Sequence, residues 1–285
     1  MSRARPLFYN SGDGRKGRGA IVKGEKSVIR VWLDLLLPPL CALCGGDADG
    51  SDLCGSCETL IERSWPASAA ACRGCGMPSP AVSSNREPAT IPGDQGAGAR
   101  PCPFCLRHHF HFDSVTALAL YQGAVREAIV ANKRAGSTAL APALGTRLAR
   151  LVESSRGEWT PDLITFVPAH LSRRLARGGT AGCQRIAQAV SRSLHLPLAD
   201  VLRTTRRVRK QSLLPDELRQ QNVRDAFTLK SSYASRKPVD LSGRNVLLVD
   251  DVLTTGATAS EVSRILKQGG AVSVHLAVVA RAVRR

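Results

Sequence analysis

Residues 246–258 read VLLVDDVLTTGAT. Four successive apolar residues, Val246, Leu247, Leu248 and Val249, show no polar alternation and predict a strand buried on both faces, as in a parallel sheet. Two carboxylates, Asp250 and Asp251, follow where that strand is expected to end. Thr254, Thr255, Gly256, Ala257 and Thr258 then lead into TASE at 258–261, a capping box that opens a helix. Val262, Ile265 and Leu266 recur on one face of that helix, and Gly269-Gly270 stops it. Backbone N–H groups, hydroxyls and a helix N-terminus form an anion cradle, and Gly256 lets the backbone come close to a phosphate. Adjacent acids suit the vicinal hydroxyls of a sugar and can hold Mg²⁺ beside them. Diol-binding acids next to a phosphate nest describe a ribose 5-phosphate site. Caps alone would explain Thr258 and one Asp, but not the whole string. A Walker A loop is excluded, because Gly-Lys-[Ser/Thr] is missing.

Outward from that stretch, short strands alternate with helices. Strands are expected at 114–121, 162–167 and 272–280, and helices at 124–132, 141–153 and 184–194. The 141–153 helix places Leu144, Leu148 and Leu151/Val152 at helical spacing. The fold class is therefore α/β, a mostly parallel sheet flanked by helices, with ligands at the carboxyl ends of its strands. This domain is expected to occupy residues 112–285.

The preceding part has a different texture. Eight of nine cysteines form CxxC pairs: Cys41/Cys44, Cys54/Cys57, Cys72/Cys75 and Cys102/Cys105. Two thiolates separated by two residues turn around one metal ion, and two such knuckles complete an all-sulfur tetrahedral zinc site. Eight cysteines thus predict two structural Zn²⁺, with no open position for metal catalysis. Disulfides would require an export signal, and a redox site needs one CxxC in a βαβ unit. Pairing in chain order closes the shorter loops and is expected, with a crossed scheme as the alternative. Residues 28–111 read as this module, with a Pro-, Ser-, Gly- and Ala-rich insertion at 78–101 of disordered composition. His108, His109 and His111 are expected to be solvated or to pack rather than to ligate. Cys183, the ninth cysteine, has no adjacent base and reads as a packing or surface thiol.

Charge is lopsided: 40 Lys+Arg against 23 Asp+Glu, a net +17, which points to an anionic partner. Aromatics at 4% are few for single-strand binding by base stacking. No apolar run approaches the roughly 20 residues that span a bilayer. Residues 1–27 read as a basic, Gly-rich disordered tail without a secretory pattern, so a cytoplasmic location is expected.

VLLVDDVLTTGAT resembles the motif by which type I phosphoribosyltransferases bind 5-phosphoribosyl-1-pyrophosphate (PRPP). With the cysteine module in front, the chain resembles the ComF family, which includes ComFC-like competence proteins. The resemblance begins at LLLPP (35–39) and continues through Lys133 and Gly136, then Val167-Pro168-Ala169-His170. Gln211, Leu214, Arg219, Asn222 and Phe227 fit a further family pattern, Q-x-x-L-x-x-x-x-R-x-x-N-V-x-x-A-F. The resemblance implies a double zinc ribbon followed by a phosphoribosyltransferase domain. In it Asp250 and Asp251 would be the catalytic pair, holding the ribose diol and Mg²⁺, and Thr254, Thr255, Gly256, Ala257 and Thr258 would hold the 5-phosphate. By position, His170, Arg173, Arg174, Arg177 and Gly178 mark a pyrophosphate loop, while Gln211, Arg219 and Asn222 mark a hood loop, with Lys210 and Arg224 beside them. Where the family commonly has R-G-F-N-Q, residues 177–184 read RGGTAGCQ and lack the aromatic and the Asn. The resemblance further implies a link to DNA uptake or DNA utilisation, with single-stranded DNA and the uptake machinery as partners. A phosphoribosyltransferase of nucleotide metabolism and a catalytically silent PRPP sensor are the alternatives.

Overall fold

The computed structural model describes residues 40–48, 51–64, 71–78, 102–132, 139–155, 159–168, 182–206, 216–231 and 239–283. Four parallel strands form the central sheet in the order β1-β6-β5-β2: β1 (Ser114–Leu120), β2 (Leu163–Phe166), β5 (Asn245–Leu253) and β6 (Ser273–Arg281). A separate antiparallel pair joins β3 (Leu202–Thr204) to β4 (Phe227–Leu229). The helices are α1 (Gly55–Arg63), α2 (Pro103–Arg107), α3 (Gly123–Asn132), α4 (Leu140–Ser154), α5 (Gly182–Leu194), α6 (Asp216–Val223) and α7 (Ala257–Gln268).

Successive residues of a strand point to opposite faces, and β5 divides its apolar run accordingly. Leu247 and Val249 enter one core with α3, α4 and α5, whereas Val246 and Leu248 enter another with α7, β3 and β4. The sheet is covered on both sides, as its continuous apolar strands require. On the first side α4 and α5 approach closely at Gly145, where a Cβ would stand 2.5 Å from the Cβ of Ala189 and 2.7 Å from the Ile186 carbonyl. The cysteine module adds to the same core: Leu53, Cys57 and Ile61 pack into it, and Glu58 pairs with Arg147 of α4 at 2.6 Å. No described helix is long and apolar enough to cross a membrane.

β5 does not end at Val249. It runs to Leu253, pairing Asp250 with Val278 and Val252 with Ala280, so both carboxylates lie inside the strand. β6 extends beside it to Arg281 and offers backbone partners that outlast the apolar side chains. At its far end α7 stops as expected. Gly270 adopts φ +99°, the Ala271 N–H donates to Leu266 O and the Gly270 N–H donates to Lys267 O, a Schellman closure.

Near the amino ends of β1 and β6, His275 is enclosed between Trp159, stacked at 4.3 Å, and the hydroxyls of Ser114 and Thr116, the latter 3.0 Å from Nε2. Burial pushes its imidazole down from 6.5 to about 4, against a smaller opposing effect of Asp113. Between these values the unfolded chain binds a proton that the folded chain refuses. Stability present above pH 6.5 is therefore lost as pH falls toward 4, by about 3 kcal/mol in all. Urea unfolding of the wild type and His275→Gln between pH 4 and 7 should show a steeper pH dependence in the wild type.

Candidate functional site

The four CxxC pairs gather in chain order. Sγ atoms of Cys41, Cys44, Cys54 and Cys57 lie within 4.8 Å of one another, and so do those of Cys72, Cys75, Cys102 and Cys105. Sulfur separations of 3.7 Å (Cys44–Cys54), 3.7 Å (Cys72–Cys105) and 3.4 Å (Cys75–Cys102) approach the edge of about 3.8 Å in a zinc tetrathiolate with 2.3 Å bonds. Gly45 (φ +76°) and Gly76 (φ +68°) make the left-handed turns that end the knuckles. Without a cation the clusters resist full ionisation. Burial pushes the Cys57 thiol up and Cys105 up to about 12. Cys72, by contrast, falls to about 4 through its hydrogen bond with Cys75. A dication is the species that lets four crowded sulfurs be thiolates together, and both clusters are structural zinc sites. The neighbouring histidines do other things: His108 stacks on Phe104 at 4.2 Å, and His111 contacts Ser260 Oγ at 3.1 Å.

Beyond β5 the chain turns through Thr254 and Thr255 into α7. Asp250 and Asp251 are half-buried, and the Asp251 N–H donates to Asp250 Oδ1 at 2.8 Å. The helix begins at Ala257, one residue before the expected cap. Its N-cap is Gly256, at φ +85° and without a side-chain cap bond. The capping box is thus replaced by a left-handed glycine, and Glu261 is drawn elsewhere. Its carboxylate accepts from the Asp225 N–H at 2.9 Å and from Arg264 Nη2 at 2.7 Å. The Arg264 hydrogen bond holds Glu261 below the usual carboxylate range. Thr254 is exposed, Thr255 and Thr258 half-buried, and the N-terminal amides of α7 begin beside them.

Of the expected hood residues, Arg219 is buried on α6 and Asn222 half-buried there, while Gln211 and Lys210 lie outside the described residues. The turn after α6 is tied to α7 through Asp225, which has φ +55° and meets Arg264 Nη2 at 3.2 Å. His170, Arg173, Arg174, Arg177 and Gly178 lie outside the described residues, as do Lys133 and Gly136. The helix that follows, α5, starts beside β5, one residue before its acids: buried Cys183 donates to Val249 O at 3.1 Å. Sequence reasoning missed Glu261 in its true role, and it missed Arg281, Phe104 and Phe110. Arg281 and Phe110 both reach the 254–256 turn, and neither belongs to a local motif.

Elemental analysis of the purified chain should find two zinc ions per molecule, and Cys44→Ser should lower the content to one. A value of two in that variant would mean that Cys44 is no ligand.

Comparison with known proteins accords with this geometry. A family model for the double zinc ribbon domain matches residues 32–106, and one for the phosphoribosyl transferase domain matches residues 178–285. The DNA utilization protein YhgH of Escherichia coli (strain K12) is 29% identical over 180 residues, which cover 62% of this chain and 75% of that protein. Competence protein F of Haemophilus influenzae is 32% identical over 123 residues, 43% of this chain and 51% of the other. A stretch of 43 residues, 15% of each chain, is 54% identical to a ribose-phosphate pyrophosphokinase of Methanosarcina mazei. Among solved structures, the allosteric regulatory enzyme of purine biosynthesis is 23% identical over 50% of this chain and 26% of its own, at a TM-score of 0.32 too low to carry weight. Both domain matches in this order, and relatives named for competence and DNA utilisation, are consistent with the ComF family.

Proposed function

We propose that this protein binds PRPP with Mg²⁺ at the carboxyl end of β5, in the service of DNA uptake or utilisation. The observation that carries the reading is the junction at Gly256. Two strand-borne acids, a left-handed glycine and a helix N-terminus follow one another within eight residues. Asp250 and Asp251 would hold the ribose hydroxyls and Mg²⁺. Thr254, Thr255, Gly256, Ala257 and Thr258 would hold the 5-phosphate through hydroxyls and amides. The pyrophosphate falls to His170, Arg173, Arg174, Arg177 and Gly178, with Gln211, Arg219 and Asn222 on the hood side. The link to DNA rests on the names of the relatives, and a net charge of +17 is compatible with single-stranded DNA as a partner. Zinc thiolates that must stay reduced suit the cytoplasm.

If the site turns over, a nitrogen nucleophile displaces pyrophosphate at the anomeric carbon. The protein's part is then positioning and the stabilisation of developing charge.

Calorimetric titration with PRPP·Mg²⁺ tests the site. Asp250→Asn with Asp251→Asn should weaken binding at least about 100-fold, as expected for losing two charged hydrogen-bonding groups. An unchanged affinity would place the ligand elsewhere. Pyrophosphate release in the presence of a panel of bases separates transfer from binding alone.

A further inference from the structure

At 1% exposure Arg281, the last residue of β6, leads the fully buried side chains in size among the described residues. Its Nε donates to Cys75 O at 2.9 Å. Its Nη1 donates to Leu253 O at 2.9 Å, to Ala282 O at 2.8 Å and to Thr254 O. Its Cζ lies 5.0 Å from the centre of the Phe104 ring. Cys75 belongs to the second zinc cluster, and Phe104 sits between two further members, Cys102 and Cys105. Leu253 and Thr254 carry the chain from β5 into the phosphate loop. One planar, rigid cation therefore touches both the metal cluster and the loop.

A second route runs parallel to it. Phe104, His108, Phe110 and Phe112 form a stacked series, with centroid separations of 4.2 Å (Phe104–His108), 6.0 Å (His108–Phe110) and 4.7 Å (Phe110–Phe112). Phe110 presses on the loop so closely that a Cβ on Gly256 would stand 2.6 Å from its Cε1. Both routes begin at the Cys102–Cys105 knuckle and end two residues apart, at Thr254 and Gly256. Among the described residues the first zinc cluster has no such path: its Cys41 and Cys57 pack into the core on the other side of the sheet.

We propose that Arg281 is a positioning residue for the phosphate loop and couples it to the second zinc cluster. Metal on Cys72, Cys75, Cys102 and Cys105 and PRPP on residues 254–258 then strengthen each other's binding. The proposal rests on the PRPP reading above for its ligand, and on the Arg281 contacts for its route. Coupling of this kind is reciprocal, so each ligand raises the affinity of the other by the same factor.

The test is equilibrium competition of the zinc-loaded chain with the chromophoric chelator 4-(2-pyridylazo)resorcinol, with and without PRPP·Mg²⁺. One of the two zinc equivalents should bind about tenfold more tightly when PRPP is present, within the range usual for coupled sites, and the other should not change. Arg281→Lys keeps the charge but loses the planar fork, and should abolish that difference. Phe104→Leu leaves the guanidinium in place, should reduce the difference, and serves if Arg281→Lys does not fold. Hydrogen–deuterium exchange gives a readout that needs no PRPP. In either variant the amides of residues 254–258 should exchange about tenfold faster, while those of α5 stay unchanged. The coupling is overturned if PRPP binds while both zinc affinities stay the same, or if exchange at 254–258 ignores both variants. Failure of PRPP to bind, with exchange at 254–258 still responding to Arg281→Lys, would uphold the coupling and sink the ligand assignment.

Discussion

A guanidinium cannot leave water without partners for its donors, and the guanidinium of Arg281 is fully buried. Stranding an ion in a protein interior costs several kcal/mol, a large part of the total margin of about 5–15 kcal/mol. Here the donors meet backbone carbonyls of Cys75, Leu253, Thr254 and Ala282, and the ring of Phe104 covers one face. None of these partners carries a charge. The compensating negative charge lies one shell further out, on the second cluster, where four thiolates around Zn²⁺ leave a net −2. The knuckle, the end of β5 and the end of β6 therefore have to settle together. Two further contacts confirm how closely that knuckle is seated on the sheet. The Val115 N–H of β1 donates to Arg73 O at 2.8 Å, and a Cβ on Gly76 would lie 3.0 Å from Val115 Cγ1.

What could be read from the sequence was what local physics writes there. A short unbroken apolar run ending in acids reads as a strand covered on both faces, and four CxxC pairs in succession read as sulfurs turned toward metal. What could not be read was set by residues distant in sequence. β5 passes the acids because β6 runs on to Arg281, which the side chains of residues 250–253 do not announce. TASE looked like a capping box because Thr258 and Glu261 have the right spacing. A left-handed Gly256 starts the helix earlier, and Asp225 and Arg264 claim the carboxylate. β3 and β4 have three residues each, too few to show a period. His275 and Arg281 were invisible for a different reason: a polar residue within a strand pattern reads as solvent-facing unless its neighbours in space are known.

Helix α7 is where the remaining parts meet. Its N-terminus follows the 254–256 turn, the proposed phosphate loop, and its second turn supplies Glu261 and Arg264 to the turn after α6. Near its C-terminus, Lys267 pairs with Asp113 at 2.7 Å, while the other oxygen of Asp113 accepts from the Val274 N–H at the start of β6. Asp225 adopts φ +55°, a conformation that costs a non-glycine residue energy and persists only when its surroundings enforce it. The Glu261 carboxylate on the Asp225 N–H and Arg264 on its side chain are such an enforcement. The segment bearing Arg219 and Asn222 is thereby referenced to the same helix that references the phosphate loop.

Fixing the loop from both ends has a consequence for how a ligand is held. Before the loop, the carbonyls of Leu253 and Thr254 are held by Arg281; after it, the Ser260 N–H donates back to Gly256 O at 2.8 Å. An anion arriving there does not have to order the backbone that receives it. Little conformational entropy is then lost on binding, and more of each hydrogen bond appears as affinity. The acids reach a similar state by another route, since β5 is paired with β2 up to Val249 and with β6 past both acids. If residues 250–258 are the proposed diol site and phosphate nest, their preorganisation would favour recognition of the ribose phosphate itself, whatever becomes of its pyrophosphate. That division would fit a sequence in which VLLVDDVLTTGAT is complete while RGGTAGCQ lacks an aromatic and an Asn.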